Sequence, residues 1–555
     1  MFSAAGVMRL LVLLWSAHLA LGTFVPGPAR PLAIGPVRIV PVDYRAPSGI
    51  PPLVFVSRAP SMDGVGVPGL GPGQRAIVTG GRLLVRESSG RIRDLLGNSA
   101  PFDVSDPAVS FDGERIAFAA VAHPDSAWRI QVVNVDGRGL RAITRTTGDP
   151  RERFDDLDPC WIGADLLCFA STRDAMESQY APVRATNLFV VSTRIEDAAT
   201  PPRRITSERN GAEEPAFDPR RGQIVYSRWW FNRFAPPRPP SAAPDDSVNL
   251  WHAIALTPEG PRLRCGSVTS RRAMTAYQIT FLPDGAAVAV CGLNLGLWPR
   301  PGALAIQRFT TSSAPVVRLA GAVLPDSVRG GYPDALGLAA PAACAPAALP
   351  DGRVVFSHDP GGRGDFGLWI VRPAFPPAAL FDRPGALELD AAPIVRRSLP
   401  RAAVPFTFHD RQSPANPVGQ GEAGPTFDYL SLGLFKGGRE APGPPTWTPG
   451  TRIRFLAAAP RERGPDTTLL IRELAVDADG RVEARGLPAD VPLFEQLLGP
   501  DGMVLRAAHG PAHVAGFNAG APGGRSRCVG CHLGHSALPV PAKNPPPADA
   551  TRGGR

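Results

Sequence analysis

Short runs of alternating apolar and polar residues recur along the first 400 positions, and one phrase returns five times. It reads "SDPAVSFDGERIAFAA" from Ser105, "LDPCWIGADLLCFAS" from Leu157, "EEPAFDPRRGQIVYSR" from Glu213, "YQITFLPDGAAVAVC" from Tyr277 and "CAPAALPDGRVVFSH" from Cys344. Each copy predicts a short strand, a tight turn carrying Asp or Gly, and a second strand of β-branched and aromatic residues. Between copies lie further strand-like runs, "RIQVVNV", "NLFVVST", "NLWHAIAL", "ALAIQRF" and "GLWIVRP". Each repeat of roughly 50–70 residues therefore offers three or four antiparallel strands.

A single sheet of that size cannot bury both faces. Radial stacking of several does, and it leaves only short edges. An earlier unit, "PPLVFVSRAP" followed by "QRAIVTGGRLLVRESSG", lacks the full phrase and brings the number to about six. The expected fold is all-β: a six-bladed β-propeller over residues 23–397, followed by a second β-rich module over 398–540 and a disordered tail over 541–555. The hairpins resemble the TolB or PD40 type of propeller repeat, a likeness that implies fold and says little of activity.

After "LELDAAPIVRRSLP" the repeat stops, and a Pro/Gly-rich stretch (410–450) leads to strands predicted at Leu469–Val476, Arg481–Arg485 and Pro492–Leu498. Turns at 477–480 and 499–502 join them, so a small β-sandwich is expected. The 64 prolines and 59 glycines of the 555 residues fit a chain of many turns and few long helices.

The net charge of +9 raises the question of nucleic acid, but Lys436 and Lys543 are the only lysines and the arginines are dispersed among acids. No nucleic-acid surface is expected. The first 22 residues have the form of a secretory signal: Arg9, an apolar run from Leu10 to Leu21, and the small-x-small end Ala20-Leu21-Gly22. Nothing later reaches the length of a membrane span. A periplasmic or secreted location follows, where disulfides persist and c-type haem is attached. Cys160 and Cys168 lie symmetrically about a turn, so they could face one another across a hairpin, and whether they form a disulfide is left open by the sequence. Of Cys265, Cys291 and Cys344 at least one is expected as a buried free thiol. The aromatics Trp229, Trp230, Phe231 and Phe234 are read as inter-blade packing before partner surface.

Chemistry concentrates near the carboxyl end, in Cys528-Val-Gly-Cys531-His532. Two thiols three positions apart can each add to one vinyl group of a porphyrin, and the next residue is then held under the iron as proximal imidazole. Zinc is the competing reading, with His509 and His513 at H-x3-H spacing joined to Cys528 and Cys531. A redox dithiol has no need of the adjacent His and lacks its usual βαβ setting. The exported setting favours one covalent haem c. For the opposite face of the iron, His513 is the first choice, ahead of His509 and Met503; a vacant position is the alternative. His535 is too close to His532 to wrap around.

The stretch "GLPADVPLFEQLLGPDGMVLRAA", then "RCVGCH", with "ELDAAPIVRR" at the propeller exit, resembles hydrazine synthase alpha subunits and exported proteins sharing their middle domain. The resemblance runs from about residue 45 to 540 and implies Cys528 and Cys531 as thioether anchors with His532 as the histidine of the motif. Departures are clear. The hydrazine synthase subunit carries more than one c-type haem, and its catalytic haem takes a tyrosine shortly after the motif. This chain has one such motif and no Tyr after His532. Hydrazine synthesis is therefore not implied.

The expected function is that of an exported monohaem c-type cytochrome serving a periplasmic redox partner protein, with the propeller as docking scaffold. The alternatives are a haem enzyme acting on a small nitrogen compound or peroxide, and a non-haem scaffold with a zinc site. No Ser-His-Asp order, phosphate loop or carboxylate pair supports hydrolysis.

Overall fold

The computed structural model describes residues 48–60, 66–73, 75, 78–145, 154–173, 178, 183–206, 208, 210–232, 248–257, 260–265, 268–269, 272–293, 301–307, 317–321, 341–399, 426–435, 446–459, 467–489, 493–507, 510–511 and 523–528. Six antiparallel sheets make up a propeller, each with its strands in sequence order from the centre outward except at the closure. The long inner strands are Leu387–Pro393 (blade one), Asp103–Val109, Asp156–Trp161, Gly211–Asp218, Arg272–Phe281 and Ala342–Ala348 (blades two to six), and blade five adds the two-residue strand Val268–Thr269 beside Arg272–Phe281. They touch in cyclic order, the sixth returning to the first, so the ring is closed.

The recurring phrase supplies the first two strands of blades two to six. Its turn is built locally: in blade two the Gly113 amide donates to Ser110 O at 3.0 Å, with Gly113 at φ +77°. Blade one lacks the phrase for a physical reason. Its innermost strand comes from the far end of the propeller sequence, Leu387–Pro393 pairing antiparallel with Leu53–Arg58. Ser57 Oγ donates to Glu388 Oε1 at 2.8 Å across that seam.

Facing sheets bury apolar side chains between them. Phe111, Trp128, Trp161, Phe169 and Phe189 fill the space between blades two and three. Trp229 and Trp251 stack at 5.8 Å with an interplanar angle of 12°, both buried. The packing reading holds for Trp229; side chains 230, 231 and 234 lie outside the described residues. Cys160 and Cys168 do sit directly opposite one another on adjacent strands, but both are free thiols. The expected register is present and the bond is not. Cys160 sits where its strand bulges, and its Sγ lies 3.7 Å from Trp161 O. Cys291 and Cys344 are free and buried, as expected.

The residues after the propeller include two three-stranded sheets that share one core. One sheet orders Val482–Pro488, Thr426–Ser431 and Arg525–Cys528; the other orders Thr467–Ala475, Arg452–Ala459 and Leu493–Leu498. Phe427, Tyr429, Val482 and Leu487 pack against Ile453, Phe455, Leu493 and Leu497, with the Tyr429 and Phe455 rings edge to face at 5.1 Å. This is the expected sandwich with three strands more than the sequence predicts, Thr426–Ser431, Arg452–Ala459 and Arg525–Cys528. Thr426–Ser431 lies inside the stretch read as a Pro/Gly-rich connection. At Gly480, φ +74°, a Cβ would approach the Leu434 amide to 2.6 Å, so the turn requires glycine.

Candidate haem attachment site and axial ring

Cys528 is the last residue of the strand Arg525–Cys528, which runs parallel to Thr426–Ser431 with Cys528 opposite Ser431. The strand is fixed at its start by Gly523 N donating to Thr426 O at 2.8 Å and Asp428 N donating to Gly524 O at 3.0 Å. Arg525 reaches Asp428 at 3.6 Å and Glu483 at 3.8 Å. The backbone of the first cysteine of the motif is thus held by a sheet. Cys531 and His532 lie outside the described residues, as do His509, His513, His535 and the segment 1–22. Met503 is exposed on the turn where Gly499 N donates to Met503 O at 2.8 Å. Two thiols and an imidazole at this spacing match the donor set of a covalent haem. Among the described residues no three His, Cys, Asp or Glu side chains are grouped to hold a metal ion.

A second feature escapes motif reading. Each innermost strand bulges at one residue with positive φ that is not glycine: Asp390, Asp106, Asp158, Glu214, Gln278 and Ala345, at +56°, +54°, +51°, +50°, +48° and +49°. Such backbone is uncommon and persists where neighbouring contacts determine it. Those contacts form a chain from blade to blade. The Asp390 and Asp106 carboxyls, and those of Asp106 and Asp158, are close enough to repel one another. Glu214 N then donates to Asp158 Oδ2 at 2.8 Å, Gln278 N to Glu214 Oε2 at 3.1 Å, and Ala345 N to Gln278 Oε1 at 2.9 Å. Ala345 has no acceptor to continue the ring to Asp390. The sequence signal was present in the recurring Asp-Pro and Glu-Pro of the phrase, but its meaning depends on ring closure.

The buried segment from Gly66 to Pro72 covers part of this ring. Gln278 Nε2 donates to Gly69 O at 3.1 Å, while Glu213 accepts the Gly73 amide and pairs with Arg75. Gly69, at φ +91°, has no room for a side chain, since a Cβ would lie 2.4 Å from Asp390 Oδ2.

Ala345→Asn is expected to stabilise the fold by about 0.5–1.5 kcal/mol, because asparagine tolerates the left-handed backbone and supplies the missing acceptor. A higher urea midpoint at unchanged slope checks it; an unchanged or lower midpoint rejects it.

No protein-family model matches this chain, and no curated protein does. Among solved structures it is similar to hydrazine synthase of Kuenenia stuttgartiensis, at 17% identity and TM-score 0.63, over 90% of this chain and 70% of that one. It also aligns with TolB from Acinetobacter baumannii, at 14% identity and TM-score 0.37, over 62% of this chain and 66% of that one. At these identities the likeness to the hydrazine synthase chain is one of fold, extending from the propeller through most of the sequence.

Proposed function

We propose that this chain is an exported monohaem c-type cytochrome that passes electrons in a periplasmic redox system, its propeller serving as the docking scaffold for a redox partner protein. The observation that carries the reading is the sheet-held strand ending on Cys528, the first residue of the single Cys-x-x-Cys-His motif. The signal-like first 22 residues and the hydrazine synthase likeness over 90% of the chain support it. No helix among the described residues is long and apolar enough to cross a membrane.

In this reading Cys528 and Cys531 would hold the porphyrin by thioether bonds to its two vinyl carbons, with no oxidant consumed, and His532 and His513 would ligate its iron. The bound haem supplies a one-electron couple. The sheet's part is to fix the backbone of the first anchor.

Expression with export and haem-attachment machinery, then denaturing electrophoresis with haem staining, tests the proposal. A stained band is expected, and it should vanish in Cys528→Ala/Cys531→Ala. Colourless protein with alkylatable thiols, or a zinc content near one per chain, rejects it. The likeness to hydrazine synthase favours one second reading, a haem enzyme with an exchangeable ligand. Carbon monoxide separates the two: an immediate shift of the main absorption band of the reduced protein selects the enzyme, and no shift the electron carrier.

A further inference from the structure

We propose that Ser431 is a cofactor-binding residue, its hydroxyl kept as a hydrogen-bond partner for the haem that Cys528 anchors; the inference rests on the haem reading given above. Alternate positions of the strand Thr426–Ser431 face the core that the two sheets share. Phe427 and Tyr429 are buried there, and Ser431 comes next on the same face. Apolar side chains fill that core, Val482 among them, which is the register partner of Ser431 on one flank. Serine breaks the pattern.

The break is not repaired within the chain. Ser431 is fully buried, and its Oγ has no hydrogen-bond partner. Among the described residues of the two sheets no other hydroxyl is in that state. Thr451, buried beside the start of Arg452–Ala459, shows the ordinary case: its hydroxyl donates to Thr448 O at 2.7 Å. An orphaned buried hydroxyl costs stability, and a local rule broken in this way marks a position kept for something other than the fold.

The other flank of Ser431 shows what that is. Arg525–Cys528 runs parallel to Thr426–Ser431, with Arg525 opposite Asp428 and Cys528 opposite Ser431. Arg525 reaches Asp428 and Glu483, which share the outer face of the sheet. Counting on from 525 by alternation, position 528 belongs to the inner face, next to Ser431. The one orphaned hydroxyl of the module and the first cysteine of its motif are therefore neighbours in a single sheet, although far apart in sequence. A haem anchored at Cys528 would bring acceptor atoms to this sheet, in its thioether sulfurs and its carboxylate arms. A serine hydroxyl supplies one donor and two lone pairs for them.

The test compares Ser431→Ala with wild type in two forms of the full chain, one made without haem-attachment machinery and kept reduced, the other exported and loaded. Without haem the hydroxyl has nothing to bond, so alanine should leave the urea midpoint unchanged or raise it. With haem, alanine should lower the folded-to-unfolded ratio by about two- to tenfold, the worth of one hydrogen bond. A covalent haem stays on the unfolded chain, so this difference reports a contact in the folded state and not loss of the cofactor. A lowered midpoint in the haem-free form overturns the inference, because the hydroxyl then serves the fold; a loaded variant as stable as loaded wild type overturns it too. Either result with a haem-stained wild type removes Ser431 alone and leaves the haem reading standing, whereas a colourless wild type removes both. Should the haem-free chain not fold, the reduction potential of the loaded proteins decides. A hydrogen bond to the haem favours one oxidation state, so a potential shifted by Ser431→Ala upholds the inference and equal potentials overturn it.

Discussion

Asp103→Asn should destabilise the propeller by roughly 3–5 kcal/mol, because it removes the carboxylate from a buried ion pair and an acceptor from the backbone amides it holds. Asp103 and Arg58 have fully buried side chains and meet at 3.3 Å. Asp103 Oδ2 also accepts the amides of Thr79 at 2.9 Å and Gly80 at 3.2 Å, while Oδ1 accepts those of Gly81 at 2.8 Å and Val104 at 2.7 Å. One carboxylate thus fastens the segment leading into Arg82–Arg86 of blade one, the strand bearing Arg58, and the innermost strand of blade two. Asparagine keeps the volume, so the loss cannot be assigned to a cavity. The control is Asp94→Asn, whose pair with Arg82 is 31% and 46% exposed; that change should cost less than about 1 kcal/mol. Urea midpoints of the two variants, read at constant slope, make the comparison. Equal shifts would mean that the buried carboxylate is no more than a surface charge.

The parts of this fold that were legible in sequence are the local ones. The strand pairs Asp103–Val109 with Arg115–Val121 and Ala342–Ala348 with Val354–Asp359 are neighbours along the chain, and their turns carry Asp and Gly where the backbone demands them. Period-two apolar patterning together with turn chemistry is enough to find them. Non-local pairings carry no such mark. Leu387–Pro393 reads as one more strand at the end of a repeat, and nothing within it states that its partner is Leu53–Arg58. Arg525–Cys528 is too polar to be recognised as a strand, and Thr426–Ser431 is hidden among prolines and glycines.

The same division runs through the functional residues. On the proposed haem reading, the spacing of Cys528, Cys531 and His532 is what covalent attachment requires and so is readable in one line of sequence. A second ligand to that iron would be set by which loop arrives there, and spacing holds no record of that. The axial ring lies between these cases. Asp-Pro at 106 and 158 and Glu-Pro at 214 recur visibly, yet Asp390, Gln278 and Ala345 complete the set only once six blades stand in a circle.

Closure is therefore where the propeller is most exposed to a small change, and Leu387→Ala/Leu389→Ala is expected to unfold it at ordinary temperature. Both side chains are fully buried on the closing strand, within the cluster that contains Phe356, Phe366 and Tyr277. Each truncation should cost about 2–5 kcal/mol, and together they approach the roughly 5–15 kcal/mol by which a domain is ordinarily stable. Leu380→Ala, on the outermost strand of blade six and only partly buried, should cost about 1 kcal/mol or less. The closing strand is also joined to a segment 331 residues earlier, so the seam cannot form until nearly the whole propeller chain is in place. Limited proteolysis of the double variant should then cut first in blade one, at Leu53–Arg58, because that strand loses the partner that covers its inner edge. A double variant that keeps the wild-type unfolding midpoint, or that is first cut in blades three or four, would show that the ring is held by its blade-to-blade contacts rather than by its seam.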